Sequence, residues 1–465
     1  MEIESKLEKM EQKNQESAKT KAYKRLKLLF DEGTFVELDT FVKSSGQYAE
    51  VLSGFGSVDG CPVYAFSQNI DKEGGVVTSA HLKKIQKVYE LAAKTGSPVV
   101  GIYDSVGAKL TEGNEMLAAY GDLLRACNNL SGVVPQISIV LGPCLGTSAM
   151  LAVSADFLIM EQNAKLSIAT DGEHASSDEA EREGVSHITA KDEKDAVECV
   201  KNLITMLPSN NLSEAPIFGC DDSAHSITLR ELSKTLFDSE KKDAARFIID
   251  SLCDKGSFVE LQEKFGQAMI VGFGRLFGNT VGMIVSNHDI NNGVVDADAC
   301  VKAARIVRFC DAFSIPVVTL VNSSGFASLK EASKLSNAYS EATTAKVTVI
   351  IGEAYGPLYI AVAGKGANAD ITFAWPGAVI SPLAPETAAQ ILLVDKMKKA
   401  KDPIADRQKI VEDYKNTQAS ALSAAEEGFV EDVIDPDDTK VKLFAVLSML
   451  QGKRVSNLPK KHSNF

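Results

Sequence analysis

Two glycine-bearing segments have the residue types for chemistry carried out by backbone N–H groups. Gly142–Thr147 (GPCLGT) follows the apolar run QISIVL and precedes a helix-like stretch, and Gly352–Leu358 (GEAYGPL) has the same setting. A glycine allows a ligand to approach the backbone closely, and the first N–H groups of a helix have no partner within that helix. Two such groups directed at one point form an oxyanion hole, which stabilises an enolate or a tetrahedral oxygen.

Tight packing of a helix on a sheet is the alternative explanation for either segment taken alone. The occurrence of the pattern twice in one chain favours a functional role. Gly74 and Gly75 belong to the same class of candidate, because they follow a polar turn and precede a helix expected to begin near Thr78.

Other apparent motifs favour structural roles. GFGSVDG (Gly54–Gly60) and GFGRLFG (Gly272–Gly278) have GxGxxxG spacing, and each precedes a β-like run instead of opening a helix. They predict strand or hairpin turns and not phosphate-binding loops. Among the six histidines, His81 and His288 are near candidate segments, and we expect both to be structural.

The chain repeats itself over its whole length. FDEGTFVEL (Phe30–Leu38) resembles CDKGSFVEL (Cys253–Leu261), and SPVVGIYDSVG (Ser97–Gly107) resembles IPVVTLVNSSG (Ile315–Gly325). Five such matches occur in the same order, each displaced by roughly 210–245 residues. This period is far too long for a solenoid repeat, so the matches indicate an internal duplication of one domain.

The duplication predicts two tandem domains, residues 1–215 and 216–465, joined by the polar, turn-rich stretch Pro208–Ser226. Short β-branched runs alternate with helical periods in each copy, which predicts an α/β fold with right-handed crossovers. We expect Met1–Leu29 to be a charged helix that lies outside the first core.

Composition narrows the class of protein. The 465 residues carry a formal charge of -13, which argues against a nucleic-acid or anionic-membrane partner. No apolar run approaches the length of a membrane span, and the N-terminus lacks the apolar region of a signal peptide, so we expect a cytoplasmic enzyme. The eight cysteines show neither CxxC nor Cys/His clustering, which predicts reduced thiols and implies no metal.

The longer stretches YDSVGAKLTEG, SGVVPQISIVLGPCLG and ATTAKVTVIIGEAYGPLY resemble the carboxyltransferase subunit of biotin-dependent acyl-CoA carboxylases and decarboxylases. Propionyl-CoA carboxylase beta and methylmalonyl-CoA decarboxylase alpha subunits are members of that family. The resemblance extends from Lys24 to the C-terminus. It implies two tandem domains of the crotonase (ClpP/crotonase) fold.

The resemblance implies that a carboxyl group moves, through an enolate, between biotin and a short-chain acyl-CoA. The acyl-CoA would bind mainly to the first domain and biotin mainly to the second, in a homo-oligomer of at least two subunits. A biotin carboxyl carrier protein, and biotin carboxylase or membrane decarboxylase subunits, are the implied partners. The enzyme would be cytoplasmic, or peripheral to a membrane complex.

Particular residues acquire roles from the same resemblance. The thioester-oxygen donors would be the backbone of Gly146 and Thr147, and the biotin-side donors would be at Pro357 and Leu358. The further substrate-binding residues that it implies are Gly74, Gly75, Gly107, Ala108, Gly142, Gly325, Phe326 and Gly356.

The sequence departs from the family in both donor loops, which usually contain Gly-Gly-Ala. Thr147 follows Gly146 in the first loop and keeps an N–H, whereas Pro357 in the second has none. The segments after Ala169 and Ser323 are shorter than in the family. In YDSVGAK, valine and lysine stand where glycine and arginine are usual, and lysine lacks the fork geometry of arginine.

Three functions are therefore open. The first is a working carboxyltransferase, and the second is a catalytically impaired subunit that holds an assembly together. The third is a crotonase-type CoA-ester enzyme that works without biotin. It would need a general base, for which Tyr103, Asp104 and Glu112 are the nearest candidates.

Overall fold

The computed structural model describes residues 2–44, 46–169, 175–220, 228–234, 243–367, 369–398, 404–456 and 458. The chain divides into two compact units, Met1–Ala215 and Pro216–Phe465. Residues 221–227 of the expected linker, residues 170–174 after Ala169, and residues 459–465 of the C-terminal tail lie outside the described residues.

The first unit is built on a mixed sheet. Its strands are β1 Val36–Leu38, β2 Lys43–Ser44, β3 Gln47–Tyr48, β4 Leu52–Val58, β5 Cys61–Ser67, β6 Val99–Ser105, β7 Gln136–Leu145, β8 Phe157–Glu161, β9 Lys165–Ser167, β10 Ala175–Ser176 and β11 Ile188–Ala190. Its helices are α1 Glu2–Lys19, α2 Lys21–Leu29, α3 Ser79–Thr95, α4 Asn114–Asn129, α5 Thr147–Val153, α6 Ser177–Arg182 and α7 Glu193–Met206. The strands pair in the order β1-β4-β5-β6-β7-β8-β11, and β9 pairs with the outer half of β7.

The second unit repeats this plan. Its strands are β12 Val259–Leu261, β13 Met269–Leu276, β14 Asn279–Ser286, β15 Val294–Val295, β16 Val317–Ser323, β17 Gly325–Phe326, β18 Lys346–Tyr355, β19 Ile371–Ala374, β20 Val379–Ser381 and β21 Asp432–Val433. Its helices are α8 Leu229–Ser233, α9 Ala244–Leu252, α10 Ala297–Ala312, α11 Leu329–Glu341, α12 Gly356–Leu358, α13 Pro385–Leu392, α14 Val394–Lys398, α15 Ala405–Thr417, α16 Ala421–Glu426 and α17 Thr439–Leu450. The strand order is β12-β13-β14-β16-β18-β19-β21, and β20 pairs with the outer half of β18.

Central parallel strands carry the core of each unit. Strand β6 pairs in parallel with β5 and β7, and β16 pairs in parallel with β14 and β18. Every residue of β6 and of β16 is buried. Parallel strands that are covered on both faces are buried along their whole length in this way. The α/β class and the two tandem domains predicted from sequence are confirmed.

Equivalent hydrogen bonds appear in the two units. The Asp31 carboxylate accepts the N–H of Gly60 at 3.0 Å, and the Asp254 carboxylate accepts the N–H of Gly278 at 2.7 Å. Each bond fastens the turn of an antiparallel hairpin, β4–β5 in the first unit and β13–β14 in the second. The GxGxxxG segments are therefore hairpins, as predicted.

The N-terminal segment differs from the single peripheral helix expected over Met1–Leu29. A break at Thr20, whose side chain accepts the Tyr23 N–H, separates α1 from α2. Helix α2 buries Leu26 and Leu29 completely, so it belongs to the first core. The apolar face of α2 is only about two turns long, and the many charged residues around it make it difficult to recognise in the sequence.

Candidate functional site

The candidate residues of the first unit lie at one edge of its sheet, at the carboxyl ends of parallel strands. Gly74–Gly75 follow β5, Gly107–Ala108 follow β6, and Gly142 lies within the outer half of β7, ahead of Gly146–Thr147. A parallel bridge between Val77 and Ala108 joins the first two segments. Open α/β sheets bind ligands at this edge.

Ala108 has an unused backbone donor. The Val77 N–H donates to the Gly107 carbonyl at 2.9 Å, and the Lys109 N–H donates to the Val77 carbonyl at 2.8 Å. Because Val77 is bonded to the two residues that flank Ala108, the Ala108 N–H faces the opposite side. No described residue accepts it.

Thr147 supplies a second donor at the neighbouring strand end. It is the first residue of α5, so its N–H has no partner within the helix. A Cβ on Gly107 would lie 3.7 Å from the Leu145 carbonyl, which places the Gly107–Ala108 loop beside the start of α5. The expectation for Gly146 is corrected: its N–H donates to the Ser167 carbonyl at 2.8 Å and is already engaged.

The second unit has the equivalent of the Ala108 donor. Phe326 pairs in parallel with Val295, and the Ala327 N–H donates to the Val295 carbonyl at 2.9 Å. The same geometric argument directs the Phe326 N–H away from Val295. The sequence indicates Ala108 and Phe326 as substrate-binding residues but not as donors, because a two-residue strand bridge leaves no signal in the sequence.

The second donor of this unit is altered. Gly356 has φ of +45°, and a Cβ there would lie 2.7 Å from the Pro382 carbonyl, so glycine is required. Pro357, which corresponds to Thr147, has no N–H. The next N–H is that of Leu358, the third residue of α12, and it too has no partner within the helix. A π-helical turn, Tyr359–Ala363, follows α12.

The two residues of YDSVGAK that depart from the family each have a local contact. The Val106 side chain lies against Gly74, where an added Cβ would be 3.2 Å from Cγ2 of Val106. Lys109 forms an ion pair with Glu73, with Nζ 3.6 Å from Oε2, and both side chains are partly exposed. The unusual valine and lysine are thus accommodated by local contacts.

The three residues considered as general bases all have structural partners. Tyr103 is buried in the core, and burial raises the pKa of its phenol well above the usual value. Glu112 accepts the Ser79 N–H at 2.7 Å at the start of α3. Asp104 forms a buried ion pair with Arg25. None of these three residues is therefore available as the general base that a biotin-independent enzyme would need.

His81 joins the start of α3 to the neighbouring loop. Its Nε2 accepts the Glu50 N–H at 2.9 Å, and it takes part in a capping box with Thr78. Burial, reinforced by the nearby Lys84, lowers the pKa of His81 to about 4. The structural role expected for this histidine agrees with these contacts.

A surface groove of about 510 Å³ lies beside α5. Its walls include Met150, Val153 and Ile168, whose side chains are largely exposed. Ile360 is the equivalent of Met150 in the second unit and is also exposed. The helix that follows each donor loop therefore presents apolar side chains to its surroundings.

Within the described ranges, no group of histidine, cysteine, aspartate and glutamate side chains is arranged to hold a metal ion. The described helices include none with the length and apolar character of a membrane span.

The two repeated sheets, with backbone N–H groups free at their strand ends, define a tandem crotonase-like protein. The model of the carboxyl transferase domain matches residues 13–465, so the chain belongs to the carboxyl transferase family.

Relatives agree with this assignment. The alpha subunit of methylmalonyl-CoA decarboxylase from Propionigenium modestum is 36% identical and covers 98% of this chain and 94% of its own length. The carboxyltransferase subunit of propionyl-CoA carboxylase from Haloferax mediterranei is 35% identical, with 97% and 94% covered. A crystal structure of transcarboxylase 12S, a hexamer with methylmalonyl-coenzyme A and methylmalonic acid bound, has a TM-score of 0.89, 34% identity, and 98% and 94% coverage.

Proposed function

We propose that this chain moves a carboxyl group between biotin on a separate carrier protein and a short-chain acyl-CoA. The first unit, residues 1–215, would hold the acyl-CoA, and the second, residues 216–465, would hold biotin. The observation that carries the proposal is the pair of backbone donors at neighbouring strand ends, the N–H groups of Ala108 and Thr147.

In the first unit, the thioester oxygen would lie against these two N–H groups. Removal or addition of the carboxyl group at the α-carbon places negative charge on that oxygen, and preorganised donors stabilise the charge without reorganisation. The Gly107 φ of +115° and the Gly146 φ of +66° set the backbone directions on either side of the site. The machinery requires no general base from a side chain.

Biotin would supply a ureido nitrogen that carries the carboxyl group. In the second unit, Phe326 and Leu358 retain N–H groups with which to hold the ureido oxygen, while Pro357 contributes none. The residues present therefore fit the group with one donor fewer than a Gly-Gly-Ala loop would offer.

The relatives support propionyl-CoA or methylmalonyl-CoA as the acyl substrate. The hexameric transcarboxylase core supports a homo-oligomer, and exposed Met150 and Ile360 offer apolar surface for such contacts. A biotin carboxyl carrier protein, with biotin carboxylase or membrane decarboxylase subunits, would complete the enzyme on the cytoplasmic side.

The test is release of CO2 from malonyl-CoA and methylmalonyl-CoA by the purified protein, with and without free biotin. Biotin-stimulated release supports a transferase in which the two remaining second-unit donors suffice. Turnover that ignores biotin would replace the proposal with a biotin-independent CoA-ester enzyme.

Pro357 favours a second candidate, a partner subunit that keeps the fold but has lost biotin-side catalysis. A proline in the first turn of a helix is structurally comfortable, so the loss of a donor leaves the fold intact. An inert wild type that gains activity in the Pro357→Gly variant would establish this candidate.

A further inference from the structure

Arg25 and Asp104 form an ion pair inside the first unit, remote from solvent. Nη1 of Arg25 lies 2.8 Å from Oδ2 of Asp104, and the two side chains are 3% and 4% exposed. Arg25 also donates through Nε to Oε1 of Glu193 at 3.2 Å. Burial raises the pKa of the Asp104 carboxyl, and the Arg25 cation opposes that rise. A buried pair of this kind is costly to form and strongly destabilising to break.

The pair lies at an irregularity in the sheet. Tyr103 pairs with Val140 and Ser105 pairs with Cys144, so three residues of β7 oppose Asp104 alone. Such a bulge bends the strand and redirects its remaining residues. Here the redirected end of β7 pairs with β9 and leads directly into the Thr147 donor.

The Asp104 carboxylate fills this bulge, yet its Oδ1 accepts no hydrogen bond from the backbone of the bulge. Oδ1 would be 2.2 Å from a Cβ on Gly142, and no described residue donates a hydrogen bond to that oxygen. The next residue of the bulge is Pro143, which has no N–H to offer. In the first unit, therefore, the backbone of the bulge does not hold the side chain.

In the second unit, a neutral side chain fills the equivalent bulge and is held by a backbone hydrogen bond. Val321 pairs with Ile350 and Ser323 with Ala354, so the bulge is repeated opposite Asn322. Oδ1 of Asn322 accepts the N–H of Glu353, the counterpart of Pro143, at 3.0 Å. Ile248 occupies the position that corresponds to Arg25 in the duplicated sequence.

We propose that Arg25 is a positioning residue for the oxyanion donors of the first unit, which it serves by anchoring Asp104 in the β7 bulge. This inference rests on the proposed function of that site. Asp104 is followed, four residues on, by Ala108, and the last residue of the bulge that it fills, Pro143, is followed, four residues on, by Thr147. The ion pair thus fixes the relative position of the two strand ends that present the donors.

The duplication supplies the design of the test. Arg25→Ile copies the second-unit residue and leaves Asp104 buried without its cation. The triple variant Arg25→Ile/Asp104→Asn/Pro143→Ala copies the whole neutral arrangement, because alanine restores the N–H that proline lacks. Arg25→Lys keeps the charge with a smaller head group, and Arg125→Ile, on the exposed face of α4, is the control for loss of an arginine.

Two readouts separate positioning from general stability. The first is kcat and KM for decarboxylation of methylmalonyl-CoA, measured per folded protein. The second is the infrared carbonyl stretch of ¹³C-labelled propionyl-CoA bound to each variant, which moves to lower frequency when N–H groups donate to the thioester oxygen and needs no turnover.

We expect Arg25→Ile to lower kcat by up to about 10²-fold, as misplaced catalytic groups do, with KM within about threefold. The carbonyl shift should shrink in parallel, and the triple variant should regain most of both quantities. Arg25→Lys should fall between, and Arg125→Ile should match wild type.

Retention of wild-type kcat and carbonyl shift in folded Arg25→Ile would overturn the positioning role. So would a triple variant that folds but regains neither quantity. If Arg25→Ile does not fold, the triple variant and Arg25→Lys decide by the same two readouts. Failure of the wild type to bind or decarboxylate any acyl-CoA would instead overturn the proposed function, and the positioning role with it.

Discussion

Gly142 and Asp104 are interlocked across neighbouring strands: a Cβ added to Gly142 would lie 2.2 Å from Oδ1 of Asp104. The second unit repeats the relationship between Gly352 and Asn322, where the corresponding distance is 2.3 Å. The glycine at this position is required because a polar side chain from the adjacent strand occupies the space where a side chain would stand.

Gly142→Ala should therefore destabilise the first unit by about 1–3 kcal/mol, the usual cost of overpacking a core. Gly352→Ala should do the same in the second unit. Urea unfolding measures both, with Gly121→Ala as the control, since an added Cβ there meets nothing within 4 Å and α4 should gain slightly from a better helix former. Equal stability of the Gly121 and Gly142 variants would contradict the interlock.

Thr147→Pro transplants the natural second-unit sequence into the first unit. It removes the Thr147 N–H while leaving a residue that is comfortable at a helix start, so we expect a folded protein with kcat lower by about 10²–10³-fold. Thr147→Ala keeps the N–H and should stay within a few-fold of wild type. A Thr147→Ala variant as impaired as Thr147→Pro would show that the hydroxyl, and not the backbone, matters.

Pro357→Gly adds the N–H that the second unit lacks. We expect biotin-stimulated decarboxylation to rise by about 10-fold or more, because one restored oxyanion donor has an effect of up to about 10³-fold. Pro357→Ala adds the same N–H with less backbone freedom and should behave alike. The KM for acyl-CoA, which the proposed function assigns to the first unit, should not change; a changed KM would argue against separate roles for the two units.

His81 makes the stability of the first unit dependent on pH. Its pKa of about 4 in the folded protein lies below the ordinary 6.5. Between these two pH values, His81 is protonated in the unfolded chain but neutral in the folded protein. The contribution of neutral His81 to the free energy of unfolding is present in full above pH 6.5 and is lost as the pH falls toward 4. Proton linkage predicts that the free energy of unfolding falls by about 1.4 kcal/mol between pH 7.5 and 5.5.

His81→Gln should lower stability at pH 7.5 but reduce this pH dependence, because glutamine does not titrate. Urea midpoints of wild type and variant at the two pH values measure the difference. Identical pH dependence in both proteins would assign the acid sensitivity to other groups.

Much of the architecture could be predicted from the sequence, because the duplication doubles each signal. The strand-to-helix glycines, the hairpins and the class of fold can be inferred from local spacing and from apolar periodicity. The N-terminal helices were predicted less well, since Arg25 resembles one more exposed charge in a lysine-rich stretch. Only the fold shows that Arg25 is buried against Asp104.

Which backbone N–H groups are free to act as donors could be learned only from the structure. Gly146 was expected to donate, but β9 returns along β7 and its last carbonyl, that of Ser167, takes the Gly146 N–H. The Ala108 N–H points away from Val77 because Val77 is hydrogen-bonded to the two neighbours of Ala108. Both facts depend on strand register between segments that are distant in sequence, and composition or spacing carries no record of register.

Pro357 changes the number of backbone donors in the second unit without changing how well the chain folds, although most substitutions affect activity and folding together. A helix accepts proline in its first turn, so exchange of this residue in either direction should leave folding, expression and assembly unchanged. Measurements of stability should therefore not detect the exchange of this proline. A lineage of such chains can lose and regain the donor in a single substitution, without passing through a form that fails to fold.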